Sequence, residues 1–438
     1  MAKPVSATVR TYQVGFGDCF LLSVLYADQS EKHVLIDFGT TKLPPEAPKT
    51  RMSDIAGNIA ERCGGKLTAV VATHRHQDHI SGFATTVQGR GSGAIIAGLD
   101  PDLVIQPWTE HPDLATDATA SARADGTKGM AAEIRSLGAM QSVSANYVAE
   151  AKRNYRYLRG FDENLKSELS FIGEDNIANV AAVRNLMAMG HAKRRAEYLH
   201  AGQTTALAKL LNVKVDVFGP PTVDQRAAIK KQRSRDPGEY WHLAASAPLA
   251  IQAETGARAA PLFPDHVQGR IQSEFPVQTR WMISKARRMR GKQMLQIVRM
   301  LDKSLNNTSL ILLFRIGSKS LLFPGDAQIE NWGYALEQEA WMAKLAEVDL
   351  YKVGHHGSLN ATPKSLWAQF EKKSENAEDP ERLATLMSTL EGKHGHAEDR
   401  TEVPRETLVE QFRKHSNLHT TQTPDPEKFW HDSVLDVS

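Results

Sequence analysis

Cysteine is almost absent from this sequence: Cys19 and Cys63 are the only two among 438 residues. Two thiols cannot build a disulfide framework, and these two are not spaced as a zinc-binding pair. Packing is therefore the role expected of both, in a reducing compartment. Charge of one sign is equally scarce, since 53 Lys and Arg face 51 Asp and Glu for a formal net charge of +2 at pH 7. Global charge thus argues for neither a nucleic-acid nor a membrane partner, and only local patches can. Long apolar runs are missing too: the most apolar short stretches, such as residues 310–314, fall far short of a membrane span, and the first eight residues hold no apolar signal core. A cytoplasmic chain without a membrane partner is expected. Nor does the chain carry a Gly-x-Ser-x-Gly elbow, a Walker-type phosphate loop or a dinucleotide-binding glycine pattern placed after a strand.

What is present is ordinary globular composition, 41% hydrophobic and 24% charged, with ample material for a core. β-Rich runs at 8–13, 20–26 and 34–36 are separated by Gly15-Phe16-Gly17-Asp18 and a polar turn. Ile55, Ile59 and Ala60 give 52–63 helical spacing, stopped by Gly64-Gly65, and 67–72 reads as a buried strand. From 91 to 210 the pattern is mainly helical and irregular, including 150–158 and 180–199. A β-branched run at 213–218 then closes on Gly219-Pro220-Pro221. Strand character resumes at 309–316 and 319–323, with Gly317-Ser318 as a hairpin turn, and again at 350–353. The stretch after Thr421 reads as a poorly ordered tail. Basic clusters occur at 230–235 (Lys230, Lys231, Arg233, Arg235) and 285–292 (Lys285, Arg287, Arg288, Arg290, Lys292). They fit solvated helix faces or a polyanion contact. Trp108, Trp241, Trp281 and Trp332 are expected to pack in the interior rather than stack on bases.

The chemistry concentrates where the 67–72 strand ends, in His74-Arg75-His76-Gln77-Asp78-His79. Histidines at i and i+2 on a loop leaving a strand can aim two imidazoles at one metal, and an aspartate and a histidine just beyond can serve a second. Neutral imidazole with carboxylate suits zinc or another borderline divalent ion, which can ionise bound water near neutral pH. Asp326, in Phe323-Pro324-Gly325-Asp326 at another strand end, is a candidate bridging carboxylate. His355 and His356, on the Gly354 to Ser358 loop, must point different ways, so one is expected to bind metal and the other to hold substrate or a proton.

Taken together, these pieces resemble the metallo-β-lactamase superfamily, and within it the branch containing the soluble domain of ComEC-type competence proteins. The matching elements, in family order, are Val14-Gly15-Phe16-Gly17-Asp18, Leu35-Ile36-Asp37-Phe38-Gly39, Thr73 to Gly82, Asn307-Thr308-Ser309-Leu310, Phe323-Pro324-Gly325-Asp326 and Lys352 to Ser358. The resemblance covers about 7–90 and 305–420. It implies an αββα sandwich in the α/β class, with a catalytic domain split into 1–90 and 305–420, an elaborated, mainly helical insertion at 91–304 that contributes at least one strand, and a C-terminal tail at 421–438.

By that resemblance His74 and His76 would bind a first metal and Asp78 and His79 a second, with Asp326 bridging and His356 completing the second site. Two zinc ions, or manganese, would be the cofactor. Asp37 would orient a ligating histidine, and Asp18 would act behind the ligands or fix its loop; both also fit plain turn residues. Asp78 and His355 would take part in catalysis. The family's third histidine for the first metal has no assigned counterpart among His111, His191, His200, His242 and His266. Met387-Ser388-Thr389-Leu390 followed by Gly392-Lys393-His394-Gly395 is similar to the family's final strand and Gly-His loop, making His394 a candidate transition-state contact and His396 its fallback.

A metal-bound hydroxide attacking phosphorus or a carbonyl carbon is the expected mechanism. The first expectation is a phosphodiesterase or nuclease. The second is a hydrolase of a small phosphoester, lactone or related molecule with the middle region as a lid, and the third is a non-enzymatic metal-binding interaction protein. No motif specifies an oligomeric state.

Overall fold

The structure, a computed structural model, describes residues 2–112, 120, 179–191, 195–230, 306–360, 362–393, 402–422 and 428–438. Thirteen strands in these residues form two mixed sheets. The first has the order β13-β1-β2-β3-β4-β5-β6, from β1 (Pro4–Tyr12), β2 (Cys19–Tyr26), β3 (Glu31–Phe38), β4 (Ala69–Val71), β5 (Leu103–Pro107), β6 (Ala196–Leu199) and β13 (Trp430–Asp436). The second has the order β12-β11-β10-β9-β8-β7, from β7 (Lys214–Gly219), β8 (Ile311–Ile316), β9 (Lys319–Phe323), β10 (Leu350–Lys352), β11 (Ala384–Met387) and β12 (Asn417–Thr420).

Each sheet joins an antiparallel half to a parallel half. In the first, β13, β1, β2 and β3 run antiparallel while β3, β4, β5 and β6 run parallel. In the second, β7, β8 and β9 are antiparallel and β9 through β12 parallel. The central strands are buried along nearly their whole length, as in β2, β4 and β5, because both faces are covered. One face of each sheet meets the other across a shared core that includes Phe20, Leu22, Ile36, Val71, Leu312, Phe314, Phe323 and Leu386. On the outer face of the first sheet, Leu21, Leu35 and Val70 pack with Ile55 and Ile59 of the helix Arg51–Arg62 and Leu186 of the helix Val180–His191. On the outer face of the second, Leu313, Leu322 and Tyr351 pack with Trp332, Leu345, Trp367 and Phe412 from four further helices. No helix among the described residues is long and apolar enough to cross a membrane.

Two stretches depart from the sequence reading. Residues 91–210, expected to be mainly helical, contribute β5 and β6 to the parallel half of the first sheet, and β7 follows in the second. Strands of four and five residues are too short to show a period, and β6 is mostly half-buried, whereas β7 falls on the β-branched run read at 213–218. Residues 430–436, read as part of a tail, form β13 and pair with β1 from Ser6↔Asp436 to Tyr12↔Trp430. This edge strand carries mostly solvent-facing residues, and its polar composition resembles that of a disordered end. Trp108 and Trp332 are buried; Trp241, Trp281 and the clusters at 231–235 and 285–292 lie outside the described residues.

Candidate metal centre

Strand ends converge at one edge of the sandwich. Asp37 lies near the end of β3, His74 to His79 follow β4, Asp326 follows β9, His356 follows β10 and Ser388 follows β11, while Asp18 precedes the antiparallel β2. Carboxyl ends of parallel strands are where an open α/β sheet places its ligands. Close main-chain approach draws these loops together. A Cβ on Gly39 would lie 2.5 Å from the main chain of both Asp78 and His79. At Gly325, φ is +55° and a Cβ would lie 2.7 Å from the Thr73 side chain.

Asp37 is the organiser of the histidine run. Its Oδ1 accepts the Thr73 backbone N–H at 2.7 Å, and its Oδ2 accepts the Thr73 hydroxyl at 2.7 Å and His79 Nδ1 at 2.8 Å. With its Nδ1 donating, His79 turns Nε2 inward, 3.1 Å from Asp326 Oδ2. His356 is set the same way: Nδ1 donates to the Ser388 carbonyl at 3.0 Å, and Nε2 lies 3.1 Å from Asp78 Oδ2. The result is one ligand atom from each of Asp78, His79, Asp326 and His356 within 4.8 Å of the others, all buried. Asp37, His355 and His356 adopt φ of 54°, 43° and 51°, a left-handed backbone that costs a non-glycine residue energy. Such strain collects where function demands a geometry.

The residues fit a divalent cation. Two imidazoles and two carboxylates match zinc or a similar ion. Asp78 Oδ1 is buried without a hydrogen-bond partner, and His79 Nε2 and Asp326 Oδ2 have a 3.1 Å ion-pair contact with each other, an arrangement that a divalent cation would satisfy. The electrostatics agree. Burial alone would lower His79 and raise Asp326, yet Asp326, Asp37 and Asp18 hold His79 well above the usual histidine range, and His79 and His355 hold Asp326 well below the usual carboxylate range. His356 is raised in the same way, against its burial, chiefly by Asp18 and Asp78. Asp78 is lowered despite burial, by His356 and His79. The pocket carries excess negative charge that seeks a positive partner.

His74 and His76 form a pair beside this group: His74 Nε2 is 3.0 Å from His76 Nδ1, and the His74 ring centroid is 4.1 Å from that of His79. Burial, then His79 and His76, holds His74 well below the usual range, in the neutral form a metal requires. The four-residue group therefore contains the expected second-site ligands and the expected bridge, and the expected first-site histidines stand next to it as a separate pair. Among the described candidates for a third histidine, His111 packs on the Tyr198 ring, His191 Nε2 meets the Tyr198 hydroxyl at 3.4 Å and His200 Nδ1 lies 3.0 Å from the Ala201 carbonyl. His242, His266, His394 and His396 lie outside the described residues.

His355 differs from its neighbour. Its ring is half-buried, with Nδ1 engaged by Ser358 Oγ at 2.8 Å and by Asn360 Oδ1 at 3.1 Å, and its backbone N–H donates to Asp326 Oδ1 at 2.9 Å. Asp18 is fully buried beneath the centre, 3.6 Å from His79 Nδ1 and 3.5 Å from His356 Nδ1. Lys352, singled out by no sequence argument, is only 2% exposed and places its ammonium in contact with Asp18 Oδ2, 3.1 Å from the Gly325 carbonyl and 3.7 Å from Asp326 Oδ1. A lysine in the otherwise apolar run Leu350 to Val353, directly before a Gly-His-His loop, was the available signal.

In comparisons with known proteins, the chain matches no family model and no curated protein.

Proposed function

We propose that this chain is a metal-dependent hydrolase of the metallo-β-lactamase type, acting on phosphodiester bonds. One observation carries the reading: four residues from three separate stretches, Asp78 with His79, Asp326, and His356, bring buried ligand atoms within 4.8 Å of one another. Two mixed sheets packed face to face between helices, with the site at their edge, support the αββα sandwich that the motifs imply. The elaborations would then be the β5–β6 and β7–β8 connections rather than the whole of 91–304.

A divalent cation held by Asp78, His79, Asp326 and His356 would supply a Lewis acid and an activated water. His74, held in the neutral form, and His76 beside it are the residues that would contribute to a second. The protein's own part is orientation and charge. Asp37 and Ser388 fix the two inward-facing imidazoles, and the buried carboxylates keep the ligand set anionic. His355, half-buried and bonded through Nδ1 to Ser358 and Asn360, is the candidate for holding substrate or a proton. The order of the motifs, similar to that of a DNA-processing branch, favours the phosphodiester.

Elemental analysis of wild type, His76→Ala and Asp326→Ala, with cleavage of bis(p-nitrophenyl) phosphate and single-stranded DNA, tests this. Metal in wild type, with metal and cleavage diminished together in the variants, supports the proposal. Bound metal without cleavage moves the substrate to a small phosphoester or lactone. No uptake after reconstitution overturns the reading.

A further inference from the structure

Two overlapping groups of potential ligands sit at this edge: Asp78, His79, Asp326 and His356 form one, and Asp18, Asp37 and His79 the other. The second is committed at all but Asp18 Oδ1. Both Asp37 oxygens accept hydrogen bonds from Thr73, one of them also from His79 Nδ1, so neither that carboxylate nor that nitrogen is left for a cation. Asp18 Oδ2 is taken by the Lys352 ammonium. Four buried carboxylates, Asp18, Asp37, Asp78 and Asp326, share the pocket with this one ammonium. Counted as ionised side chains before any histidine is included, these five carry a formal balance of three negative charges, and a divalent cation would answer two of them.

A fully desolvated ammonium is expensive unless paired. Lys352 pays that cost between Asp18 and Asp326, with the Gly325 carbonyl as a further acceptor and the Phe20 ring 5.9 Å away. We propose that Lys352 is a positioning residue that serves as an internal monovalent counter-ion, keeping Asp18 out of the ligand set and confining the divalent cation to Asp78, His79, Asp326 and His356. This rests on the metal reading above and adds to it what limits the number of ions. Without the ammonium, Asp18 becomes an unpaired carboxylate close to His79 and His356, and a further divalent ion is the natural replacement.

The test uses the full chain as wild type, Lys352→Met and the double variant Asp18→Asn/Lys352→Met, stripped with chelator and titrated with zinc. Thermal unfolding and elemental analysis are the readouts. Lys352→Met is expected to have the lowest metal-free Tm, a zinc-induced rise in Tm about twofold that of wild type, and more zinc bound per chain. The double variant, which loses the orphaned carboxylate charge along with the ammonium, is expected to recover metal-free Tm and to return to the wild-type zinc increment and stoichiometry. A purely structural lysine would lower the metal-free and zinc-bound Tm equally at unchanged stoichiometry, which overturns the proposal. If Lys352→Met does not fold, a double variant that folds but differs from wild type in zinc increment or stoichiometry overturns it as well. Absence of zinc uptake by wild type would instead defeat the metal reading itself.

Discussion

Asp37 Oδ2 lies 2.8 Å from His79 Nδ1, and that one hydrogen bond fixes which nitrogen of the imidazole faces the centre. Removing such an outer partner typically costs a metal site about 10- to 100-fold in affinity. Asp37→Ala is therefore expected to weaken zinc binding by about that factor, measured by competition with a chromophoric chelator. Affinity within about twofold of wild type would show that Thr73 and the backbone alone hold the ring.

His355 and His356 are adjacent in sequence and differ in burial and partners. His356→Ala removes an inward nitrogen of the four-residue group and is expected to abolish metal binding at that site. His355→Ala is expected to leave metal content unchanged while lowering phosphodiester turnover by about 100-fold, the scale of a proton-transfer group. Metal content and kcat measured on the same preparations separate the two, and loss of metal in His355→Ala would refute the division.

Gly39 is required by proximity. Its added Cβ would lie 2.5 Å from main-chain atoms of Asp78 and His79, and neither is a flexible side-chain end that can swing aside. Gly39→Ala should destabilise the fold by roughly 1–3 kcal/mol and reduce zinc uptake because the displaced backbone carries two ligands. Urea denaturation with zinc titration reads both.

Acid stability has an identifiable contributor away from the centre. His33, hydrogen-bonded through Nδ1 to Ser23 Oγ at 2.8 Å, is pushed down to about 4 by burial and by the charge of Arg62. The unfolded chain, with an ordinary histidine near 6.5, takes up the proton first. Stability from this residue is thus fully present above about pH 6.5 and falls as pH drops toward 4, at up to about 1.4 kcal/mol per pH unit. His33→Gln should have a shallower loss of stability than wild type between pH 6.5 and 4.5 in urea titrations, and parallel profiles would rule the contribution out.

β13 closes the first sheet over β1, with Val437 fully buried and Asp432 paired to Arg10 at 2.7 Å. Deleting residues 428–438 uncovers the β1 edge and loses the burial of Val437. A loss of roughly 3 kcal/mol or more is expected, with a tendency to aggregate. Calorimetry and light scattering would detect both, whereas an unchanged Tm would make the strand dispensable.

The histidine run and the β-rich and helical segments around it were readable from residue order because ligand spacing and side-chain periodicity are local properties. Asp326 and His356 were readable as residue types at strand ends, and only by resemblance as partners of the run. The short strands β5 and β6 and the polar edge strand β13 were not readable, since a few residues show no period and an edge strand is defined by its neighbour. Residue order by itself determined that histidines and an aspartate with the spacing of metal ligands cluster near residue 74. Tertiary structure decided which four residues share one centre, that His355 stands apart from His356, and that a buried lysine lies beneath them. Those outcomes depend on where separate strand ends meet and on charge left uncompensated once water is removed, neither of which has a local signature.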